Sequence, residues 1–355
     1  MRVLSVLTHG HLPQLMGGIQ TVVHDLNHML KARGHPTAVL SALLPGDSIH
    51  LWNRVKSKLP PRSPCPADRV LGYPTYRGWG IKTCAQQAVR NFKPDIVIVH
   101  GPPPIDAARI FCDLGIPTLV YFHGFDLEGA APIESSLVTY IANSRFTASK
   151  IYDDYGISCP VIPPLTRLSM YRCVRLPRTV TMVNPVPAKG VDTAIAIATA
   201  RPDIQFLFVK AWQSLVTAEN AAVARLVETL PNVTLSEAVS DMRRIFRQTK
   251  ILLMPSRCQE TWGRTAGEAQ ISGIPVIARR VGGLPESVGD GGVLLSPEAP
   301  DSDWVDTVSA LWDSTPVYED ASRRAGANAA RLETDFAEAF EHLVGLCEGH
   351  IAAHR

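Results

Sequence analysis

The sequence predicts an α/β protein of two parallel-sheet domains facing a crevice, and three observations carry that prediction. In both halves, short apolar runs of strand length alternate with longer helix-like stretches. Between the halves, Ser158–Arg178 holds Pro160, Pro163, Pro164 and Pro177 with four arginines, the composition of a linker. From Ile251 to Glu286 the order strand, loop, helix, strand forms a βαβ unit, whose ligands sit at the C-terminal strand ends. The expected division is residues 1–165 and 166–335, with a last helix at about 335–355 returning to the first domain.

At 355 residues the chain is long enough for two substantial cores. Charged residues are 19% and the formal net charge is +2, which leaves no global nucleic-acid footprint. Seven cysteines without a CxxC pair point to reduced thiols in a cytoplasmic protein. Met1-Arg2 leads straight into a short apolar run that reads as a first strand rather than a signal core. No apolar run reaches the length of a membrane span.

In the first half, a strand over Arg2–Thr8 runs through a loop into Gly17-Gly18 and a helix from Ile19 to Leu30. A strand near Thr37–Leu44 follows. The two glycines have two readings: close approach of a phosphate or acceptor to the backbone, or a turn needing positive φ. No G-x-G-x-x-G follows a strand, which counts against a dinucleotide site. From Leu51 to Lys93 nine basic residues face a single acid, Asp68, with Trp52, Tyr73, Tyr76 and Trp79 interleaved and Pro60-Pro61, Pro64 and Pro66 marking a loop. This stretch reads either as a solvated loop or as a surface for an anionic membrane or a phosphorylated acceptor. Strands over Asp95–His100 and Pro117–Phe122 each end at a histidine, His100 and His123. Ser144 is the expected N-cap of a helix through Tyr155.

In the second half, a strand over Thr179–Val183 leads into Asn184 and Lys189-Gly190. A helix over Thr193–Ala200 and strands at Ile204–Val209 and Asn232–Leu235 follow. Met242–Gln248 reads as a short helix with a solvated arginine face. Beyond the strand Ile251–Met254 come Glu260, then Gly263 at a helix start, then Glu268, expected about two turns into that helix. Two carboxylates around one crevice suit a polyhydroxylated ligand, and a helix N-terminus between them suits a diphosphate. The alternative is an amphipathic helix with two solvated acids. Asp301-Ser302-Asp303 precedes a helical pattern, so Asp301 or Ser302 is expected as its N-cap.

Pro255–Glu286 resembles the signature of the retaining GT-B glycosyltransferases of group 1 (family 4), "P-S-x-x-x-E-x-F/W-G-x-x-x-x-E-A-x-x-x-G-x-P-V-I-A" followed by "G-G-x-P-E". The resemblance implies the GT-B architecture, two Rossmann-like domains around a cleft. It also implies transfer of a hexose-type sugar from a nucleotide diphosphate (NDP) sugar to an acceptor it does not name. Glu260 would touch the donor sugar, Glu268 the ribose, and the backbone of Thr261, Trp262 and Gly263 the sugar and phosphate. Gly17 and Gly18 would lie across from the diphosphate, and His123, in the family's "H-G/D" position, beside the sugar. Arg145, after the family-like "A-N-S-x-x-T" at Ala142–Thr147, would reach the cleft, and His9 and His100 are candidates for the acceptor side.

Lys189 would pair with the diphosphate as a point charge. The family's usual arginine position is occupied by Asn184, a departure for which Arg257 or Arg264 is a candidate substitute. The implied route is front-face displacement with no catalytic metal and no cofactor beyond the donor. Alternatives are a GT-B epimerase, a phosphorylase and a non-catalytic sugar-nucleotide-binding subunit. Residues 51–93 would make the cytoplasmic protein membrane-peripheral in the membrane reading.

Overall fold

A computed structural model describes residues 1–60, 62–211 and 218–355, with backbone alone at 218–220 and 222. Pro61, read above as part of a loop, lies outside the described residues. The chain forms two compact units, Met1–Thr166 with Glu338–Arg355, and Arg167–Ala337.

The first unit contains β1 (Val3–Gly10), α1 (Gly18–Ala32), β2 (Thr37–Ala42), α2 (Ser48–Lys58), β3 (Ala67–Asp68), β4 (Thr75–Gly78), α3 (Ile81–Phe92) and β5 (Ile96–Val99). It continues through α4 (Pro104–Cys112), β6 (Thr118–Phe122), β7 (Val138–Ala142) and α5 (Arg145–Tyr155). Among the described residues the sheet order is β3-β4-β2-β1-β5-β6-β7, parallel except for the two-residue β3 at its edge. Val3, Leu4, Val6 and Ile96–Val99 are fully buried, as expected of strands covered by helices on both faces. Ser144 caps α5 by accepting a hydrogen bond from the Thr147 amide at 3.0 Å.

The stretch 51–93 departs from its expectation as a basic loop. It carries most of α2, β3, β4 and α3, and residues 59–60 and 62–66 belong to the proline-rich connection. Arg77 is fully buried, its Nε 2.7 Å from Asp68 Oδ2 and its Nη2 donating to the Leu12 carbonyl at 2.6 Å. Tyr73 and Tyr76 are also buried, so only Trp52 and Trp79 of the four aromatics face solvent. Prolines and interleaved charges break up the apolar pattern of this stretch, which hid its regular structure from a periodicity reading.

The second unit contains β8 (Thr179–Val183), α6 (Val191–Ala200), β9 (Phe206–Val209), α7 (Ala218–Glu228), β10 (Val233–Ser236), α8 (Arg243–Phe246) and β11 (Thr249–Met254). α9 (Arg264–Gln270), β12 (Val276–Arg279), α10 (Leu284–Val288), β13 (Gly292–Leu295), α11 (Asp301–Asp313) and α12 (Thr315–Ala352) complete the chain, α12 ending in the first unit. The described sheet runs β10-β9-β8-β11-β12-β13 and is parallel throughout.

Two expectations fail here. The N-cap of α11 is Pro300, with Asp301 and Asp303 inside the first turn, where their charge complements the helix dipole without capping it. The last helix begins at Thr315 rather than near 335 and runs for 38 residues. Its early buried stripe is Ala321, Ala325, Asn328 and Ala329, residues too small or too polar to announce an apolar face.

Candidate functional site

Each sheet reverses its strand order once: between β1 and β5 in the first unit, and between β8 and β11 in the second. In open parallel sheets such reversals splay the flanking loops apart and create the ligand crevice at the C-terminal strand ends. The segments that leave β8 and β11 are Asn184–Gly190 and Pro255–Gly263, which hold most of the residues singled out in the second half.

The two segments lock together through backbone. The Ala188 carbonyl accepts from the amides of Arg257 and Cys258, each at 3.0 Å. Gly190 has φ +76°, and a Cβ there would lie 2.0 Å from the Pro255 carbonyl oxygen, so no other residue fits. This contact brings Lys189 to the loop after β11, where its Nζ lies 2.5 Å from Glu260 Oε1. Ser256 Oγ donates to the same oxygen at 2.7 Å. Both hydrogen bonds to the Glu260 carboxylate seen among the described residues fall on Oε1, so Oε2 retains its acceptor capacity.

The Glu260 loop is also held from behind. A Cβ on Gly282 would stand 2.0 Å from the Glu260 carbonyl oxygen, and one on Gly283 would stand 2.3 Å from that of Thr261. The Gly283 amide donates to the Glu260 carbonyl at 2.7 Å. The glycine pair after β12 therefore provides the flat surface on which the loop rests. The indole of Trp262 is buried, 6.2 Å from the Phe336 ring, and Ser287 Oγ donates to its carbonyl at 2.5 Å. Trp262 thus anchors the loop with its side chain. Gly263 (φ +86°) is the N-cap of α9.

Glu268 is the fifth residue of α9, little more than one turn in, not two as expected, because the helix starts only at Arg264. Arg264 lies four residues earlier on the same face and pairs with it, Nη2 to Oε1 at 3.0 Å, with both side chains about nine-tenths buried. Arg264 also donates to the Tyr171 hydroxyl at 3.3 Å. Arg257 instead pairs with Asp192 at the start of α6. Each arginine proposed to replace the missing cation is therefore engaged with an acid of its own. Asn184 adopts φ +61°, a left-handed conformation that asparagine tolerates better than arginine, and its amide donates to the Val209 carbonyl at 2.7 Å.

In the first unit, neither Gly17 nor Gly18 has positive φ, which removes the turn reading. Gly17 is extended (φ −169°), and a Cβ on it would meet Gln20 Oε1 at 2.6 Å, whereas Gly18 faces open space. Gln20 in turn reaches His9 Nδ1 at 3.0 Å. His100 and His123 follow directly on the paired strands β5 and β6, and His100 Nδ1 lies 3.1 Å from His123 Nε2. Burial first, then the neighbouring His123, holds the His100 imidazole well below the ordinary histidine range. His11 is buried too, within 3.0 Å of the Tyr73 hydroxyl, and burial followed by the Arg77 guanidinium lowers its pKa likewise.

Sequence reasoning missed Ser256, Asp192 and Tyr171 as partners of the site residues, and Arg77 as a buried ion. Asp192 and Tyr171 meet their arginines across 65 and 93 residues, which no local spacing signals, whereas the Ser256 contact depends on how the loop after β11 folds back on itself. Ser256 alone stood inside the recognised signature.

These features define a class: two doubly wound parallel-sheet units of the GT-B architecture, the second with a lysine and two glutamates around its strand-order reversal. Residues 179–314 match the family described as "Glycosyl transferases group 1" and residues 16–166 match "Glycosyltransferase Family 4". The chain belongs to this family of glycosyltransferases.

The D-inositol 3-phosphate glycosyltransferase of Paenarthrobacter aurescens is 38% identical over 113 residues, 31% of this chain and 26% of that protein. That of Segniliparus rotundus is 30% identical over 232 residues, 58% of this chain and 51% of that protein. The chain thus spans about half the length, or less, of these curated relatives. Among solved structures, sucrose-phosphate synthase from Thermosynechococcus elongatus superposes with TM-score 0.76 at 16% identity, covering 99% of this chain and 100% of that one. Anabaena Alr3699/HepE in complex with UDP-glucose gives 0.72 at 15% identity, covering 97% and 100%. At such identities the likeness shows the fold. No described helix is long and apolar enough to cross a membrane.

Proposed function

We propose that the chain is a retaining glycosyltransferase that moves a hexose-type sugar from an NDP-sugar to a hydroxyl acceptor by front-face displacement. The observation that carries this reading is the Lys189–Glu260 pair at the β8/β11 reversal, held by Gly190, Gly282 and Gly283. An ammonium has three donors, so Lys189 keeps two for a diphosphate while it holds Glu260 in place. Glu260 Oε2 accepts from a sugar hydroxyl, and Glu268, braced by Arg264, accepts from the ribose. His123 is assigned beside the sugar on the strength of the family resemblance. The acceptor oxygen bonds to the anomeric carbon as the bond to the leaving phosphate breaks, and the acceptor proton passes to a phosphate oxygen. Positioning and charge stabilisation supply the rate.

UDP is the first nucleotide to test, because the Anabaena neighbour was crystallised with UDP and UDP-glucose. A phosphorylated polyol is the first acceptor to test, given the names of the relatives. The test is thermal stabilisation by UDP-, GDP-, ADP- and dTDP-sugars, since a ligand that binds only the folded state raises its midpoint. One donor should raise the midpoint in the wild type and fail to do so in Glu268→Ala. Stabilisation by none, with no donor hydrolysis, would discard the transferase reading.

A second reading concerns the partner surface. α2 exposes Leu51 (63%), Trp52 (43%) and Val55 (60%) beside Arg54, Lys56 and Lys58, with Leu59 (56%) just past its end, and the helix contains no acid. An apolar stripe flanked by cations suits an anionic lipid surface, with α2 lying in its plane. This narrows the peripheral membrane contact from residues 51–93 to one helix.

A further inference from the structure

We infer that His100 is a positioning residue: its Nδ1–H donates to His123 Nε2 and so fixes the proton of His123 on Nδ1.

The placement follows from the sheet. β5 and β6 are adjacent and parallel, and each delivers a histidine as its next residue. The two rings are inclined by only 23°, with nitrogens 3.1 Å apart, a geometry in which one imidazole donates and the other accepts. His100 is 1% exposed, and among the described residues its buried Nε2 has no hydrogen-bond partner.

That atom decides the direction. If the His100 proton sat on Nε2, a buried N–H would go unpaired, the costlier of the two defects in a protein interior. With the proton on Nδ1, Nε2 carries only an unused lone pair, and Nδ1–H is satisfied by His123. His123 must then accept at Nε2, and as a neutral ring it bears its own hydrogen on Nδ1.

The arrangement is rigid. The Tyr121 ring lies 4.3 Å from that of His123 and 5.4 Å from that of His100, and its hydroxyl donates to the Ile162 carbonyl at 2.5 Å. Both histidines line a cavity of about 320 Å³ together with Ile19, Phe125 and Asp126. His123 therefore carries an N–H, not a lone pair, on Nδ1, and any oxygen that meets this nitrogen is met by a donor rather than a base. In this respect the inference rests on the transferase reading, in which the ligand oxygen belongs to the sugar. The tautomer itself does not depend on that reading.

The test uses the full chain labelled with imidazole ¹⁵N, without ligand, and long-range proton–nitrogen correlations. His123 is assigned by the signals lost in His123→Ala. Its Nδ1 should be the protonated nitrogen in the wild type, and a proton on Nε2 would overturn the inference. His100→Asn sets an amide N–H near the position of Nδ1 and should preserve the tautomer. His100→Leu should release His123 toward the Nε2–H form that free imidazole side chains favour, and an unchanged tautomer in a folded His100→Leu would also overturn it. In turnover, His100→Leu should lower kcat about tenfold at unchanged donor KM, the scale on which loss of an imidazole's outer hydrogen-bond partner acts elsewhere. His100→Asn should recover most of it. The expected tautomers in a protein that neither binds nor hydrolyses any donor would support the positioning role and remove the transferase reading.

Discussion

Lys189 Nζ and Glu260 Oε1 lie 2.5 Å apart although 71 residues separate them, and three glycines make the contact possible. Gly190 lets the β8 loop touch Pro255, while Gly282 and Gly283 support the loop that carries Glu260. The site is an ion pair set in backbone that admits no Cβ.

Lys189→Ala should reduce turnover by on the order of 10²-fold, the usual cost of removing one preorganised donor from developing charge. Because Lys189 and Glu260 share a hydrogen bond, the double variant Lys189→Ala/Glu260→Ala should be less impaired than the product of the single effects. Steady-state kinetics of the four proteins checks this, and strict multiplicativity would argue that the pair does not act as a unit.

Gly282→Ala should disturb the site without touching a polar side chain. Its Cβ would meet the Glu260 carbonyl, and its φ of +56° is unfavourable for alanine. A left-handed non-glycine residue costs about 1–3 kcal/mol, so the variant should unfold at a lower denaturant midpoint and lose donor binding. Gly18→Ala, where a Cβ meets nothing, should leave stability within about 0.5 kcal/mol. Urea unfolding of both variants compares them directly.

The first unit should lose stability in mild acid. His11 and His100 are buried, and burial depresses both pKa values below that of the unfolded chain. The unfolded state therefore binds more protons below about pH 6.5, and their contribution, full above that pH, falls as pH drops toward the folded-state pKa. Each histidine accounts for up to about 1.4 kcal/mol per pH unit in that window. Hydrogen exchange of β1 and β5 amides at pH 7.5 and 5.5 should show the loss, and His11→Gln should make it shallower. Equal protection at both pH values would contradict it.

Binding to vesicles of mixed neutral and anionic lipid should depend on α2. Trp52→Ser with Val55→Ser should weaken partitioning by removing buried apolar area. Lys56→Glu should weaken it by reversing a charge worth about 1 kcal/mol near an anionic surface. Higher salt should weaken the wild type. Co-sedimentation measures all three, and no binding at low salt would end the membrane reading.

The sequence by itself determined the alternation of strands and helices, the signature from Pro255 to Glu286 and the Ser144 cap, because each depends on residues that follow one another along a short stretch of chain. Apolar runs mark buried strands wherever the chain comes to place them, and a serine caps whatever helix it precedes. The sequence did not determine strand order, so it located Lys189 and Glu260 near strand ends without saying that β8 and β11 are neighbours. Periodicity also failed where burial falls on small or charged residues, as in the alanine stripe of α12 and at Arg77. Only the tertiary structure joined His100 to His123, gave Arg257 and Arg264 acids of their own, and showed why Gly190, Gly282 and Gly283 cannot be replaced. These relationships depend on which segments the sheets bring side by side, and a hydrogen bond between distant residues leaves no periodic trace along the chain.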